Sequence, residues 1–141
     1  NHTHEEMLIL KNNGIITKVS KPFLEKNELT KEDIIDVSLD NITEKFEFMN
    51  IFQELNKGQH VALKKRLFFK KDDETGVIKY MVFFPIFNVT NDFSNAICIF
   101  VSEGRFNKYN QMKKNPETVD DNVYKSSSIM RKISGLFNQE K

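Results

Sequence analysis

The sequence predicts an α+β fold: a five-stranded antiparallel sheet with short helices and one longer helix on one face, plus a C-terminal helical extension. Three observations carry this. Two early apolar segments flank Asn12-Asn13-Gly14, residues that tolerate positive φ and mark a hairpin. Helical spacing of apolar residues fills the middle of the chain. Three strand-like runs then follow closely, Val61 to Phe69, Val77 to Phe87 and Ala96 to Val101, and they hold the densest apolar material.

The elements follow in order. Met7 to Leu10 and Ile15 to Val19 form the hairpin strands, the second rich in β-branched residues. Pro22 suits the first turn of a helix, and Thr30 with Asp33 resembles a capping box for a second short one. Ile42, Phe46, Met49, Phe52 and Leu55 make a helical stripe, capped by Asp40 or Asn41 and ended by Gly58, which predicts the longest helix of the core.

In the first late run Val61, Leu63, Leu67 and Phe69 share a face, with Lys64 and Arg66 on the other. The polar segment from Lys70 to Gly76 turns the chain into the second run, whose two faces are both largely apolar. The third run repeats this, with Ile97, Ile99 and Val101 on one side and Ala96, Cys98 and Phe100 on the other. A sheet apolar on both faces needs a cover on each, from a flanking helix or from a partner. Beyond Gly104 the chain is polar to Thr118, and Val119, Val123, Ser126, Met130, Ile133 and Phe137 then step by four and three, a helical seam.

Composition narrows the function classes. The 21 basic residues nearly cancel the 20 acidic ones, which removes the broad field that draws proteins to nucleic acid or anionic membranes. With one cysteine, Cys98, no intrachain disulfide can form, and a reducing, cytoplasmic setting is expected. No apolar stretch approaches the roughly 20 residues of a membrane helix, and no signal-peptide pattern opens the chain. The chain opens Asn-His-Thr-His, which leads us to expect a segment of a longer protein.

The order of strands and helices resembles the PAS domain, a sensor module of about this size. The match is carried by Leu8 to Val19 with its Asn13-Gly14 turn, Phe52 to Gly58 leading into a strand, the Asp73 to Val77 turn, and Val82-Phe83-Phe84-Pro85-Ile86. It divides the chain into an N-terminal flank (1–6), a PAS-like domain (7–103), a polar linker (104–118) and an amphipathic helix (119–141). Many PAS domains end the last strand with Asp-x-Thr, where this chain has Val101-Ser102-Glu103.

The resemblance implies candidate sites. A cavity between the longer helix and the sheet would be lined by Ile16, Val19, Phe23, Phe46, Met49, Phe52, Leu63, Val82, Phe84, Ile97 and Ile99, although thirteen Phe residues favour a filled core. The second sheet face, Met81, Phe83, Cys98 and Phe100, with Val119, Val123, Met130, Ile133 and Phe137, is the candidate homodimer interface. No cofactor is expected; haem or an apolar small molecule is the alternative, and His60 is the one nearby haem-ligand candidate. His2, His4, Glu5 and Glu6 have metal-ligand types but sit at a terminus without supporting neighbours, so no metal is expected.

No nucleophile with a base, fixed carboxylate pair or phosphate loop is present, and the Asp72, Asp73 and Glu74 trio reads as a solvated turn. Lys64, Lys65, Arg66, Lys70 and Lys71 are divided between faces by strand alternation, so nucleic acid is not an expected partner. The expectation is a non-catalytic sensory or interaction domain of a larger signalling protein. It would relay ligand or partner binding through dimerisation and its flanking helices.

Overall fold

The structure is a computed structural model that describes residues 5–70 and 72–114. The C-terminal helix expected over 119–141, with Val119, Val123, Met130, Ile133 and Phe137, lies outside the described residues, as do His2 and His4.

Strands β1 (Glu6–Lys11) and β2 (Ile16–Val19) form the early hairpin. Its loop closes with Gly14 N–H donating to the Lys11 carbonyl at 2.9 Å. Gly14 has φ +90°, and a Cβ there would stand 2.8 Å from Phe48 Cβ, so both the turn and a buried ring require glycine. Helix α1 (Lys21–Lys26) carries Pro22 in its first turn, and α2 (Lys31–Ile34) begins with the Thr30–Asp33 capping box.

The single long helix expected from the stripe Ile42 to Leu55 is instead two short ones, α3 (Leu39–Ile42) and α4 (Met49–Asn56). Between them the chain joins the edge of the sheet: Thr43 bridges Leu67, Glu44 N–H donates to the Arg66 carbonyl, and Phe68 N–H donates to the Ile42 carbonyl. Lys45 then turns the chain at φ +52°. The Asp40 carboxylate accepts the Phe48 N–H at 2.8 Å and ties the two helices together. The restart rotates the buried face, so Phe48, Ile51 and Leu55 point inward while Met49 is 59% exposed.

Strands β3 (Val61–Leu67), β4 (Val77–Phe87) and β5 (Phe93–Val101) complete one antiparallel sheet in the order β2-β1-β5-β4-β3. The segment expected as a polar linker is helical over α5 (Glu103–Lys114). Ser102 starts it, its carbonyl accepting the Phe106 N–H and its hydroxyl the Arg105 N–H. Among the described residues, no helix is long and apolar enough to cross a membrane.

Two apolar clusters sandwich the sheet. Helices α1 to α4 cover the inner one and α5 lies on the outer one. Register decides which strand residues belong to which. Leu63 pairs with Met81 and Val61 with Phe83, so Met81 and Phe83 share the face whose β3 residues are apolar. Phe83 pairs with Cys98 and Met81 with Phe100, which extends that face across β5.

Candidate functional site

The inner face corrects both expected sites. Met81, Phe83, Cys98 and Phe100, expected at a dimer interface, are buried beneath the helices among Phe23, Phe46 and Phe48. Val82, Phe84, Ile97 and Ile99, expected to line a cavity under the long helix, lie on the opposite face with Met7 and Tyr109. Of the other expected cavity residues, Ile16, Val19, Phe23 and Phe46 join the inner core, with Phe52 and Leu63 packed at its margin. Met49 faces outward.

Aromatic rings interlock in that core. Phe23 lies 4.9 Å from Phe100 and 5.5 Å from Phe69 between ring centres, and Phe83 is flanked by Phe46 and Phe48 at 6.1 and 6.3 Å. Edge and offset contacts of this kind add about 0.5–1.5 kcal/mol per pair beyond simple burial. Burial raises the Cys98 thiol well above its ordinary pKa, which leaves it protonated and inert.

The outer face is where α5 docks, and three contacts hold it. First, Tyr109 is inserted among sheet residues, its ring 5.7 Å from both Phe84 and His60. The His60 Nε2 lies 3.0 Å from the Tyr109 carbonyl; a carbonyl only accepts, so that nitrogen carries the proton and donates. His60 is therefore a buried anchor of α5 on the outer face, across the sheet from α4. Second, Phe106 rests on Tyr80 at 4.9 Å, with the Lys64 ammonium 5.6 Å from the Tyr80 ring.

Third, Arg105 pairs with Glu5 at 3.1 Å, joining the first turn of α5 to the residue that precedes β1. Burial pulls the Arg105 pKa down, but the Glu5 charge and hydrogen bonds to Tyr109 and Glu5 outweigh it, and the net shift is upward. Beside this pair Glu6 is clasped by Lys79 at 3.1 Å and Lys26 at 3.0 Å, which links β1 to β4 and α1. A shallow depression of about 290 Å³ lies there, lined by Glu5, Glu6, Phe100, Val101, Ser102 and Arg105.

The N-terminal entry of the domain and its C-terminal exit thus meet at one corner of the sheet. Among the described residues, no three His, Cys, Asp or Glu side chains are grouped to hold a metal ion.

Several solved structures share this architecture. The PAS domain of an HTR-like protein from Haloarcula marismortui superposes with a TM-score of 0.56 at 10% identity, over 71% of this chain and 82% of that one. A PAS domain from Colwellia psychrerythraea gives 0.53 at 16% identity, over 72% and 87%.

The chain has the PAS fold.

The light-state dimer of the fungal blue-light photoreceptor Vivid also shares the PAS fold, with a TM-score of 0.55 at 9% identity over 72% of this chain and 80% of that one. No family model matches the chain, and no curated protein matches it in sequence.

The docking residues of α5 escaped the sequence reading. Their signal is the spacing of Phe106, Tyr109 and Met112, three residues apart on one helical face, obscured by the Lys and Asn residues between them.

Proposed function

We propose that this PAS-fold domain is a non-catalytic sensory or interaction module of a larger signalling protein, and that its output is the docking state of α5. Ligand or partner binding would bias a docked and an undocked arrangement of that helix, and an attached signalling domain would read the difference. The observation that carries the reading is the attachment of α5. A twelve-residue helix begins directly after the last strand and is held by Tyr109, by Phe106 and by an ion pair to the start of β1. Such an attachment involves far fewer apolar contacts than the core beneath, so it belongs to the low-stability end of the molecule.

The interlocked rings of the inner core favour this reading over a sensor with an open ligand cavity, and His60 lies with Tyr109 and Phe84 on the opposite face of the sheet. The relay does not require a homodimer formed through Met81, Phe83, Cys98 and Phe100, since those residues lie in the core. Native-state hydrogen exchange tests the proposal. Amides of α5 should exchange through an opening cheaper than global unfolding, while Ile97 to Ile99 of β5 exchange only with the whole domain. Exchange of α5 only in the global event would overturn it.

A further inference from the structure

Flanking segments of the chain close much of both sheet edges, but the first half of β3 is left open. At the β2 edge, Ile16 N–H donates to the Val37 carbonyl at 2.9 Å and the Ile16 carbonyl accepts the Asp36 N–H at 2.7 Å. At the β3 edge residues 42–44 play the same part beside Arg66 and Phe68, with Thr43 opposite Leu67. They leave the edge at Lys45, where φ is +52° and the Lys65 ammonium holds the Lys45 carbonyl at 2.9 Å. In an antiparallel ladder every second residue turns both its N–H and its C=O to the same side. Arg66 and Phe68 turn theirs to the edge, so Ala62 and Lys64 do too, and no hydrogen bond from the described residues reaches those outward groups.

The open stretch from Val61 to Lys64 is about 14 Å long at about 3.4 Å per residue, room for a short added strand. Its side chains specify what fits. Leu63 stands half-buried at the margin of the inner core, and Lys64 is exposed on the outer side, above Tyr80. A strand running antiparallel, in line with residues 42–44, would place one residue opposite Leu63, where an apolar side chain would complete the cover of that margin. The residue before it would stand opposite Lys64, where a carboxylate would pair with the ammonium. The N-terminal end of that strand would face Lys45 and Lys65. Lysine on an edge guards against pairing with neutral or basic strands. Two β3 edges laid antiparallel would crowd Lys64 and Lys65 of both copies together, which disfavours a second copy as the occupant. An acidic strand turns the same charges into attraction.

We propose that the open edge of β3 docks an extended acidic segment of a partner protein, which adds a strand antiparallel to β3. From its N-terminus the segment reads acidic, acidic, apolar, any residue, apolar, with the second residue opposite Lys64 and the third opposite Leu63. Backbone bonds to Ala62 and Lys64 supply the attachment, and the lysines with Leu63 supply the selectivity. This inference goes beyond the α5 relay and stands without it: it is read at the Ala62 and Lys64 amides, whereas the relay is read at the amides of α5.

The test titrates the full chain with the end-blocked peptide Glu-Glu-Val-Thr-Val at millimolar concentration and follows backbone amide signals and hydrogen exchange. Without peptide, the Ala62 and Lys64 amides should exchange rapidly; with it, both should shift and become protected. Methylating the peptide nitrogen of its second or fourth residue, which face β3, should abolish the effect, and methylating that of its third should spare it. Lys-Lys-Val-Thr-Val should bind about fivefold more weakly or worse, and Lys64→Glu should reverse the order of the two peptides. Unchanged Ala62 and Lys64 amides, an equal response to all three methylated peptides, or equal binding of the lysine peptide would each overturn the proposal. So would protection of these amides before peptide is added, whether it survives dilution (the chain's own tail as the occupant) or is lost on dilution (a second copy).

Discussion

Tyr109→Ala probes the docking of α5 most sharply. Tyr109 is 9% exposed, and its ring fills the angle between Phe84 and His60. Burying a ring removes roughly 150–250 Å² from water, an upper bound of about 4–6 kcal/mol at about 25 cal/mol per Å². Alanine retains part of the contact, and a site at the rim of a sheet can close around the gap, so a cost of about 2–4 kcal/mol is expected. At 1.4 kcal/mol per tenfold, the opening equilibrium of α5 should rise about 30- to 700-fold.

Native-state hydrogen exchange reads this as a lower opening free energy for the amides from Phe106 to Met112. Because Tyr109 supports only the docked state, global unfolding should become easier by the same amount. The gap between α5 opening and global unfolding should therefore remain unchanged. An unchanged α5 opening, or a gap that shrinks, would refute the assignment of Tyr109 to docking alone.

Other outcomes follow from single features. Gly14→Ala should cost about 1–3 kcal/mol in urea unfolding, because the new Cβ meets the buried Phe48 and φ is +90°; a neutral result would mean that the turn relaxes freely. Glu5→Gln should change stability by less than about 1 kcal/mol, since both partners of its ion pair with Arg105 are partly exposed, and any effect should fade in high salt. The Asp33 carboxyl is held below its ordinary pKa by the backbone N–H and side chain of Thr30. Its contribution is present above the ordinary Asp pKa of about 3.9 and is lost as pH falls through the lowered folded value, so α2 amide protection should drop in that acid range. Thr30→Ala should remove the side-chain part of this dependence. Cys98 should resist an exposed-thiol reagent until the protein is unfolded.

Local chemistry made much of the fold legible. The Asn13-Gly14 turn, Pro22, the Thr30–Asp33 box and the alternation in the three late runs all act within a few residues, and each element appears where these signals place it. The longer helix failed because its stripe ignores what residues 42–44 gain elsewhere. Backbone bonds to Arg66 and Phe68 draw that segment onto the sheet edge, a long-range competition that helical spacing cannot register.

The reversed faces of β4 and β5 have a related cause. Alternation separates Met81 and Phe83 from Val82 and Phe84, but both sets are apolar, so period alone cannot say which one meets the helices. The amphipathic β3 could have decided it. Leu67 pairs with Val77 across the hairpin, and counting back from there puts Leu63 against Met81 and the polar Lys64 against Tyr80. His60 and Tyr109 were invisible as a pair because 49 residues separate them.

The central claim is that α5 lies on the outer face of the sheet through Tyr109, with the Phe-rich core on the other side. Nuclear Overhauser contacts of the Tyr109 ring in the full-length protein test it directly. Contacts to the rings of Phe84 and His60 are expected, and none to Phe83. Contacts to Phe83, or none to Phe84 and His60, would contradict it.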